Sequence, residues 1–120
     1  MHLTLPYPPS TNRSWRFSKG RVFQTPATLA WKKHAGWIAR MSCASPSDTP
    51  MAVQIILHPK LTAKGHPSKR RLDIDNVCKP TLDALNGIAW LDDSQIVSLE
   101  VSIGNPMPAG GLTVNAQATT

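Results

Sequence analysis

A central β-strand is predicted by the stretch MAVQIIL at Met51–Leu57. The run is apolar and rich in Val and Ile, and its length favours a strand over a helix. Turn-forming residues precede it at Ser45–Pro50, and a polar loop follows at Lys60–Leu72. The sheet of this protein is therefore expected to be built around Met51–Leu57.

Towards the N-terminus, the pattern predicts one strand, one basic loop and one helix. The strand is His2–Tyr7, which the prolines of Pro6–Pro9 must end because they cannot donate to a ladder. An irregular basic loop is expected next. Thr25 as N-cap and Pro26 at the first helical position predict a helix to about Met41. Residues available for its buried face are Leu29, Ala30, Ala35, Trp37, Ile38 and Met41. We expect Trp31 and Trp37 in the core or in a dimer interface.

Towards the C-terminus, a second helix is predicted from near Asp75-Asn76 to Asn86-Gly87, with a late start or a slight bend because of Pro80. Ile96–Ile103 alternates, which predicts a half-buried strand. Its apolar face would comprise Val97, Leu99, Val101 and Ile103. After a Pro/Gly turn at Gly104–Gly111, Leu112–Ala116 is expected as a final partner strand, antiparallel because the connection is short. The predicted class is α+β, with a small mixed sheet of about four strands and two main helices in the order β-α-β-α-β-β.

Composition limits the function. The chain has 120 residues, enough for one domain, and a net charge of +6, which favours a nucleic acid or another anionic partner, although solubility explains such a charge equally well. No apolar run approaches the ~20 residues needed to cross a bilayer, and the N-terminus does not resemble a signal peptide. We therefore expect a cytoplasmic protein with no membrane partner.

The acidic residues predict where the chemistry lies. Five of the seven acids lie between Asp73 and Asp93, whereas all thirteen Lys and Arg residues lie between Arg13 and Lys79. Asp73 and Asp75 project to the same side of an extended chain, so both can reach one ion. A cluster of Asp73, Asp75 and Asp92-Asp93 is costly unless buried protons or a divalent cation neutralise it, and a hard metal ion is the simpler explanation.

The cations beside this cluster extend the hypothesis. Lys69-Arg70-Arg71 directly precedes the acids and would bring a polyanion to the metal, which indicates a magnesium-dependent nuclease. Lys79 lies one helical turn beyond Asp75 and could contact the scissile phosphate. The alternatives remain open at this point: an Asp75–Lys79 helical ion pair, and aspartates that act only as helix caps and turn formers.

These motifs, in this order, resemble the RusA family of Holliday junction resolvases. Asp73-Ile74-Asp75-Asn76 is similar to the family's DxDN motif, Lys79 to the lysine that follows it, and Leu91-Asp92-Asp93 to its downstream LDD. The N-terminal Leu5–Arg13 resembles the opening LPxPPSxNR signature, which Arg16, Gly20 and Arg21 continue. Pro108–Gly111 is similar to the turn before the last strand. The resemblance therefore spans nearly the whole chain.

The resemblance implies a single RusA-like endonuclease domain over residues 1–120. It implies a homodimer that binds branched DNA and makes paired incisions with Mg2+, for which Mn2+ can substitute. Asp73, Asp75 and Asp93 would hold the metal, Lys79 would be an essential cation, and Asp92 is a less certain neighbour. The DNA-binding residues would be Asn12, Arg13, Arg16, Arg21, Lys69, Arg70 and Arg71.

Two other functions remain as alternatives. One is a catalytically inactive protein that binds DNA junctions, in which the acids serve as caps and turns. The other is a metal-dependent phosphohydrolase that acts on nucleotides. Cleavage of labelled four-way junctions in the presence of Mg2+ separates the nuclease from both.

Overall fold

The computed structural model describes residues 1–9, 15–18, 21–42, 45–66 and 74–119, and for residues 15–18, 21–24, 75 and 76 it describes the backbone alone. The larger sheet contains four strands: β1 (His2–Leu5), β4 (Met51–His58), β5 (Ile96–Ile103) and β6 (Gly111–Ala118). Two further strands, β2 (Trp15–Ser18) and β3 (Arg21–Gln24), form a separate sheet. The two α-helices are α1 (Pro26–Ser42) and α2 (Cys78–Leu85).

The four-stranded sheet has the order β1-β6-β4-β5. β4 pairs with β5 in parallel and with β6 antiparallel, and β6 also pairs antiparallel with β1. The parallel pair requires a crossover, which the segment containing α2 supplies. The mixed sheet and two helices confirm the predicted α+β class, and β4 is the central strand that MAVQIIL predicted.

The predicted partner of the last strand was wrong. β6 does not pair with β5 but lies on the other side of β4, between β4 and β1. The connecting segment crosses the end of β4, where the Met107 N–H donates to the Pro59 carbonyl (2.9 Å) and the Leu61 N–H donates to the Met107 carbonyl (3.2 Å). Gly110 then turns the chain with φ +70°, and a Cβ there would lie 2.6 Å from the Tyr7 ring. A short connection made β6 antiparallel, but it did not make it a neighbour of β5.

The basic loop predicted between Pro9 and Thr25 is also corrected, because β2 and β3 form an antiparallel hairpin within it. Ser18 pairs with Arg21, so only two residues separate the strands in the sequence. Each strand is only four residues long and carries an arginine. The apolar alternation was therefore too short to predict a strand.

Both helix starts agree with the predictions. α1 begins at Pro26, and the Thr25 hydroxyl accepts a hydrogen bond from the Thr28 N–H (3.4 Å). α2 begins late, at Cys78, after a 3-10 turn at Ile74–Val77. Pro80 is thus the third α-helical residue, where its missing N–H costs little. Within the described part of the chain, no helix has the length and apolar character needed to span a membrane.

The predicted buried face of α1 was largely wrong. Leu29, Trp37 and Met41 are exposed, and the buried residues of the helix are instead Thr28, Trp31, Ala35, Gly36 and Ala39. At 3.6 residues per turn these two sets lie on opposite sides of the helix, so α1 has two apolar stripes and only one faces the sheet. The core position predicted for Trp31 is confirmed, and its indole N–H donates to the Pro6 carbonyl (2.9 Å).

The apolar face of β5 is likewise less buried than predicted. Leu99, Val101 and Ile103 pair in register with the buried Val53, Ile55 and Leu57 of β4, so they face the helical side of the sheet. Helix α1 makes its main contacts with α2 and β1, however, and the short turn 74–77 contacts β5. Leu99 and Ile103 are 42% and 52% exposed, and Val97, at the register shift near the start of β5, is 65% exposed.

Candidate active site

The two adjacent aspartates lie in the turn that leads into β5. Asp92 is the N-cap of a 3-10 turn, Asp93–Gln95, and β5 begins directly afterwards at Ile96. The Asp92 carboxylate accepts hydrogen bonds from the backbone N–H (3.2 Å) and the hydroxyl of Ser94. The Asp92 N–H in return donates to the Gln95 side-chain oxygen (2.8 Å), which completes a capping box. This turn holds both carboxylates at the start of an edge strand.

Gln95 also ties the turn to the segment before β4. Its side-chain nitrogen donates to the carbonyls of Ser47 (2.9 Å) and Thr49 (2.8 Å). Sequence reasoning did not single out Gln95. The signal that could have found it is the spacing Asp92-x-x-Gln95 before an alternating strand, which is typical of a capping box. The segment Ser45–Pro50 therefore supports the acidic turn in addition to ending α1.

Trp90 anchors the same turn. Its side chain is fully buried, and the neighbouring backbone is clamped by the Leu91 N–H donating to Ser47 (3.1 Å) and the Gly87 N–H donating to Trp90 (2.7 Å). The indole N–H has no hydrogen-bond partner among the described residues. Burying an N–H without a partner costs about 1–3 kcal/mol, so the contribution of this side chain is packing.

The two aspartates differ in how their carboxylates are engaged. The hydrogen bond from the Ser94 side chain, followed by that from the Ser94 backbone, lowers the pKa of Asp92 below its usual value. Asp93 is exposed, and its carboxylate has no hydrogen bond or ion pair with the described residues. Asp92 thus serves the turn as a cap, whereas Asp93 has both oxygens available for a ligand.

Asp75 lies in the 3-10 turn Ile74–Val77, and this turn contacts β5. The turn that carries Asp75 contacts β5, and Asp93 lies in the turn that precedes β5. The side chain of Asp75 and the whole of Asp73 lie outside the described residues. No group of three or more potential metal ligands occurs within the described part of the chain. The predicted set of Asp73, Asp75 and Asp93 accordingly stays a prediction.

Lys79 forms an ion pair that the sequence reasoning did not consider. Its Nζ lies 3.3 Å from Oδ2 of Asp83, one helical turn further along, and its side chain is 73% exposed. The same Asp83 oxygen lies 3.3 Å from Nζ of Lys32 on α1. Asp83 is thus a partner shared by two lysines across the contact between α1 and α2. An exposed pair of this kind contributes about 0–1 kcal/mol, so Lys79 can leave Asp83 for a phosphate at little cost.

The predicted DNA-binding residues lie mostly beyond the described part of the chain. Asn12, Arg13, Lys69, Arg70 and Arg71 are outside it. For Arg16 in β2 and Arg21 in β3, only the backbone is described. These assignments remain predictions.

The chain matches the family model described as endodeoxyribonuclease RusA over residues 6–115. It belongs to the RusA family. Its RusA relatives include a protein of Enterobacteria phage 82 named crossover junction endodeoxyribonuclease rusA, which is 36% identical over 112 residues, or 92% of this chain and 87% of that protein. The RusA protein of Escherichia coli K12, named crossover junction endodeoxyribonuclease RusA, is 34% identical over 111 residues, or 91% of this chain and 86% of that protein.

A RusA protein of Shigella sonnei with the same name is 33% identical over 91% of this chain. The RusA match includes both acidic segments, Asp73–Asn76 and Asp92-Asp93, and extends into β6. The family resemblance predicted from the ordered motifs is thereby confirmed.

Proposed function

We propose that this protein is an endonuclease that resolves four-way DNA junctions by hydrolysing phosphodiester bonds. Membership of the RusA family carries the proposal, since relatives named crossover junction endodeoxyribonucleases align with about nine-tenths of the chain. The concentration of acids in the segment 73–93 of a basic protein fits the same chemistry.

We propose Asp73, Asp75 and Asp93 as the ligands of a divalent metal ion, with Mg2+ as the natural ion and Mn2+ as a substitute. Carboxylate oxygens are the donors that these hard cations prefer. The Asp93 carboxylate, exposed and without a partner among the described residues, fits a ligand, whereas Asp92 is engaged by Ser94. When bound, such an ion lowers the pKa of a coordinated water and stabilises the charge that develops on the phosphate.

The protein's own cations would position the substrate. Lys79 would exchange Asp83 for the scissile phosphate, which places a positive charge beside the reacting group. Asn12, Arg13, Arg16, Arg21, Lys69, Arg70 and Arg71 would contact the sugar-phosphate backbone, which supplies affinity and salt dependence but little sequence preference. A single domain acting on cellular DNA would work in the cytoplasm.

We further propose that the protein acts as a homodimer, because paired incisions in a two-fold symmetric junction require two active sites related by symmetry. The apolar face of β5 fits the role of the interface. It is exposed, almost uncharged and carried by an edge strand, and such a surface is typical of a contact between protein chains.

A junction-cleavage assay tests the function. Labelled four-way DNA should be cut at paired sites in Mg2+ and left intact in EDTA. Asp75→Asn should reduce cleavage by at least a thousandfold and leave junction binding within a few fold, because only the metal ligand is removed. Glu100→Gln is the matched control, since it removes the same charge from an exposed acid outside the proposed site.

The same assay distinguishes the alternatives. A wild-type protein that binds junctions tightly without cutting them would identify a non-catalytic junction-binding protein. Hydrolysis of nucleotides with no activity on DNA would identify a phosphohydrolase.

A further inference from the structure

The outer side of α1 combines apolar and positive residues. Trp37 is 62% exposed, and Leu29 and Met41 are exposed on the same side of the helix. Lys33 lies one turn before Trp37, and Arg40 nearly one turn after it. The helix contains no acidic residue. An aromatic side chain between two cations is therefore presented to solvent.

A groove runs along this side of α1, between the helix and the end of α2. Its volume is about 660 Å³, and Gly36, Ala84 and Ile88 lie among its lining residues together with Lys33, Trp37 and Arg40. Gly36 allows the close approach of the two segments, since a Cβ there would lie 3.1 Å from Cδ1 of Ile88. The groove thus has an apolar part and a positively charged part.

The charges in the groove favour an anionic occupant. Lys32, which also lines it, is paired with Asp83 at 3.3 Å. Lys33 and Arg40 form no ion pair with the described residues. Asp83 in turn holds Lys79, so one shared carboxylate connects the groove with the lysine proposed to meet the scissile phosphate. The groove therefore lies next to the part of α2 that carries Lys79.

A second copy of the chain fits this surface poorly. A two-fold contact through α1 would set Lys33 and Arg40 against the same residues of the partner, and like charges brought together are unfavourable. A DNA strand supplies the opposite charge along its whole length, and its bases provide flat surfaces for an exposed indole.

We propose that the groove between α1 and the end of α2 is a binding site for a DNA strand at the branch point. Lys33 and Arg40 contact its phosphates, and Trp37 stacks on a base that is unpaired where the arms meet. The inference rests on the proposed junction-cleaving function. It adds a DNA contact that lies outside the acidic site and does not involve the basic residues taken from the family resemblance.

The test compares charge-removing with charge-preserving variants. Junction affinity is measured in EDTA from 50 to 200 mM salt for Lys33→Gln with Arg40→Gln and for the control Lys33→Arg with Arg40→Lys. The glutamine variant should bind at least tenfold more weakly at 50 mM salt. Its plot of log affinity against log salt should be shallower by about 1.4–1.8, since each of the two phosphate contacts contributes about 0.7–0.9. The control should bind like the wild type.

Trp37 is tested separately with unpaired DNA. Trp37→Ala should weaken binding to a junction and to a single strand by about 5- to 150-fold, whereas fully paired duplex binding should change little, because stacking on one base is worth about 1–3 kcal/mol. Trp37→Phe should recover most of the affinity. All positions are exposed, so the variants should keep the wild-type unfolding temperature, which calorimetry checks.

The proposal would be overturned if the wild type cut junctions but the glutamine variant bound them with unchanged affinity and salt dependence. A change in the mass of the Trp37→Ala protein in solution, with normal DNA binding, would also overturn it and assign the surface to a second copy. Failure of the wild type to bind or cut junctions is a separate result, which rejects the proposed function itself.

Discussion

The apolar face of β5 and the outer side of α1 are both exposed, although the sequence patterns predicted both as buried. They differ in charge. The β5 face presents Leu99 and Ile103 on a strand whose one charged residue, Glu100, alternates to the other side. The α1 surface instead sets Trp37 between Lys33 and Arg40. Exposed apolar area is typical of a contact surface in each case, and the difference in charge is why we propose a copy of the chain as the partner of β5 and DNA as the partner of α1.

The two surfaces are exposed for different physical reasons. Helix α1 carries apolar residues on opposite sides, and a helix that packs on one side of a sheet can bury only one of them. β5 lies at the edge of the sheet, and its main contacts are with β4 and the turn 74–77. The outer side of α1 is exposed because of the residue pattern of the helix itself. The face of β5 is exposed because of the position of the strand in the sheet.

The largest effect is expected from a charge placed on the β5 face. Leu99→Asp would bring two carboxylates into one apolar two-fold contact, so we expect dimerisation to weaken at least a hundredfold, as measured by sedimentation equilibrium. Ser98→Asp is the control, since it adds the same charge to the opposite side of the strand, and it should change the dimer little. Equal dimerisation of both variants and the wild type would show that the copies meet elsewhere.

An intermediate effect is expected from Asp83→Asn, which releases Lys32 and Lys79 together beside the α1 surface. The free energy of unfolding should fall by about 1 kcal/mol, because the two ion pairs are partly exposed. Junction binding should become a few fold tighter at 50 mM salt, and the difference should fade as salt screens the charges.

Fluorescence anisotropy measures this binding, and Glu100→Gln again provides the matched loss of one negative charge. Tighter binding that persists unchanged in high salt would contradict the electrostatic explanation. A change in the mass of the dimer would contradict the assignment of dimerisation to β5 and of DNA binding to α1.

The smallest effect is expected from Asp92→Ala, which removes the cap of the turn before β5. The turn is exposed, so the unfolding temperature should fall by no more than a few degrees, while the amides of Ser94 and Gln95 should exchange faster with solvent. Asp92→Asn keeps a capping oxygen and should restore slow exchange. If exchange is equally slow in the alanine variant, Gln95 and its bonds to Ser47 and Thr49 hold the turn without the cap.

Much of the fold could be predicted from local patterns. The starts of α1 and α2 follow from Thr25-Pro26 and from Pro80, because capping and the missing proline N–H act within a few residues. The hairpin β2-β3 escaped prediction because four-residue strands give little periodicity. The partner of β6 escaped it because hydrogen bonds between strands join residues far apart in the chain.

The candidate site likewise contains some residues that the sequence indicated and others that only the structure revealed. The sequence indicated Asp93 as a possible ligand and left open whether the aspartates act as caps. It did not indicate that Gln95 would hold the turn to Ser47 and Thr49, or that Asp83 would pair with Lys32 and Lys79. The bonds of Gln95 and the pairing of Asp83 with Lys32 depend on the packing of separate segments, whereas the Asp92 cap and the Lys79–Asp83 pair lie within one turn of the chain.

By itself, the sequence determined the α+β class, the central strand, the two helices and the RusA family, because periodicity, capping residues and ordered motifs are local properties of the chain. Only the tertiary structure decided which apolar stripes are buried, which strands are neighbours and which carboxylate remains available. Burial and pairing depend on the surfaces that packed elements offer one another, and the period of a helix or strand does not specify those surfaces.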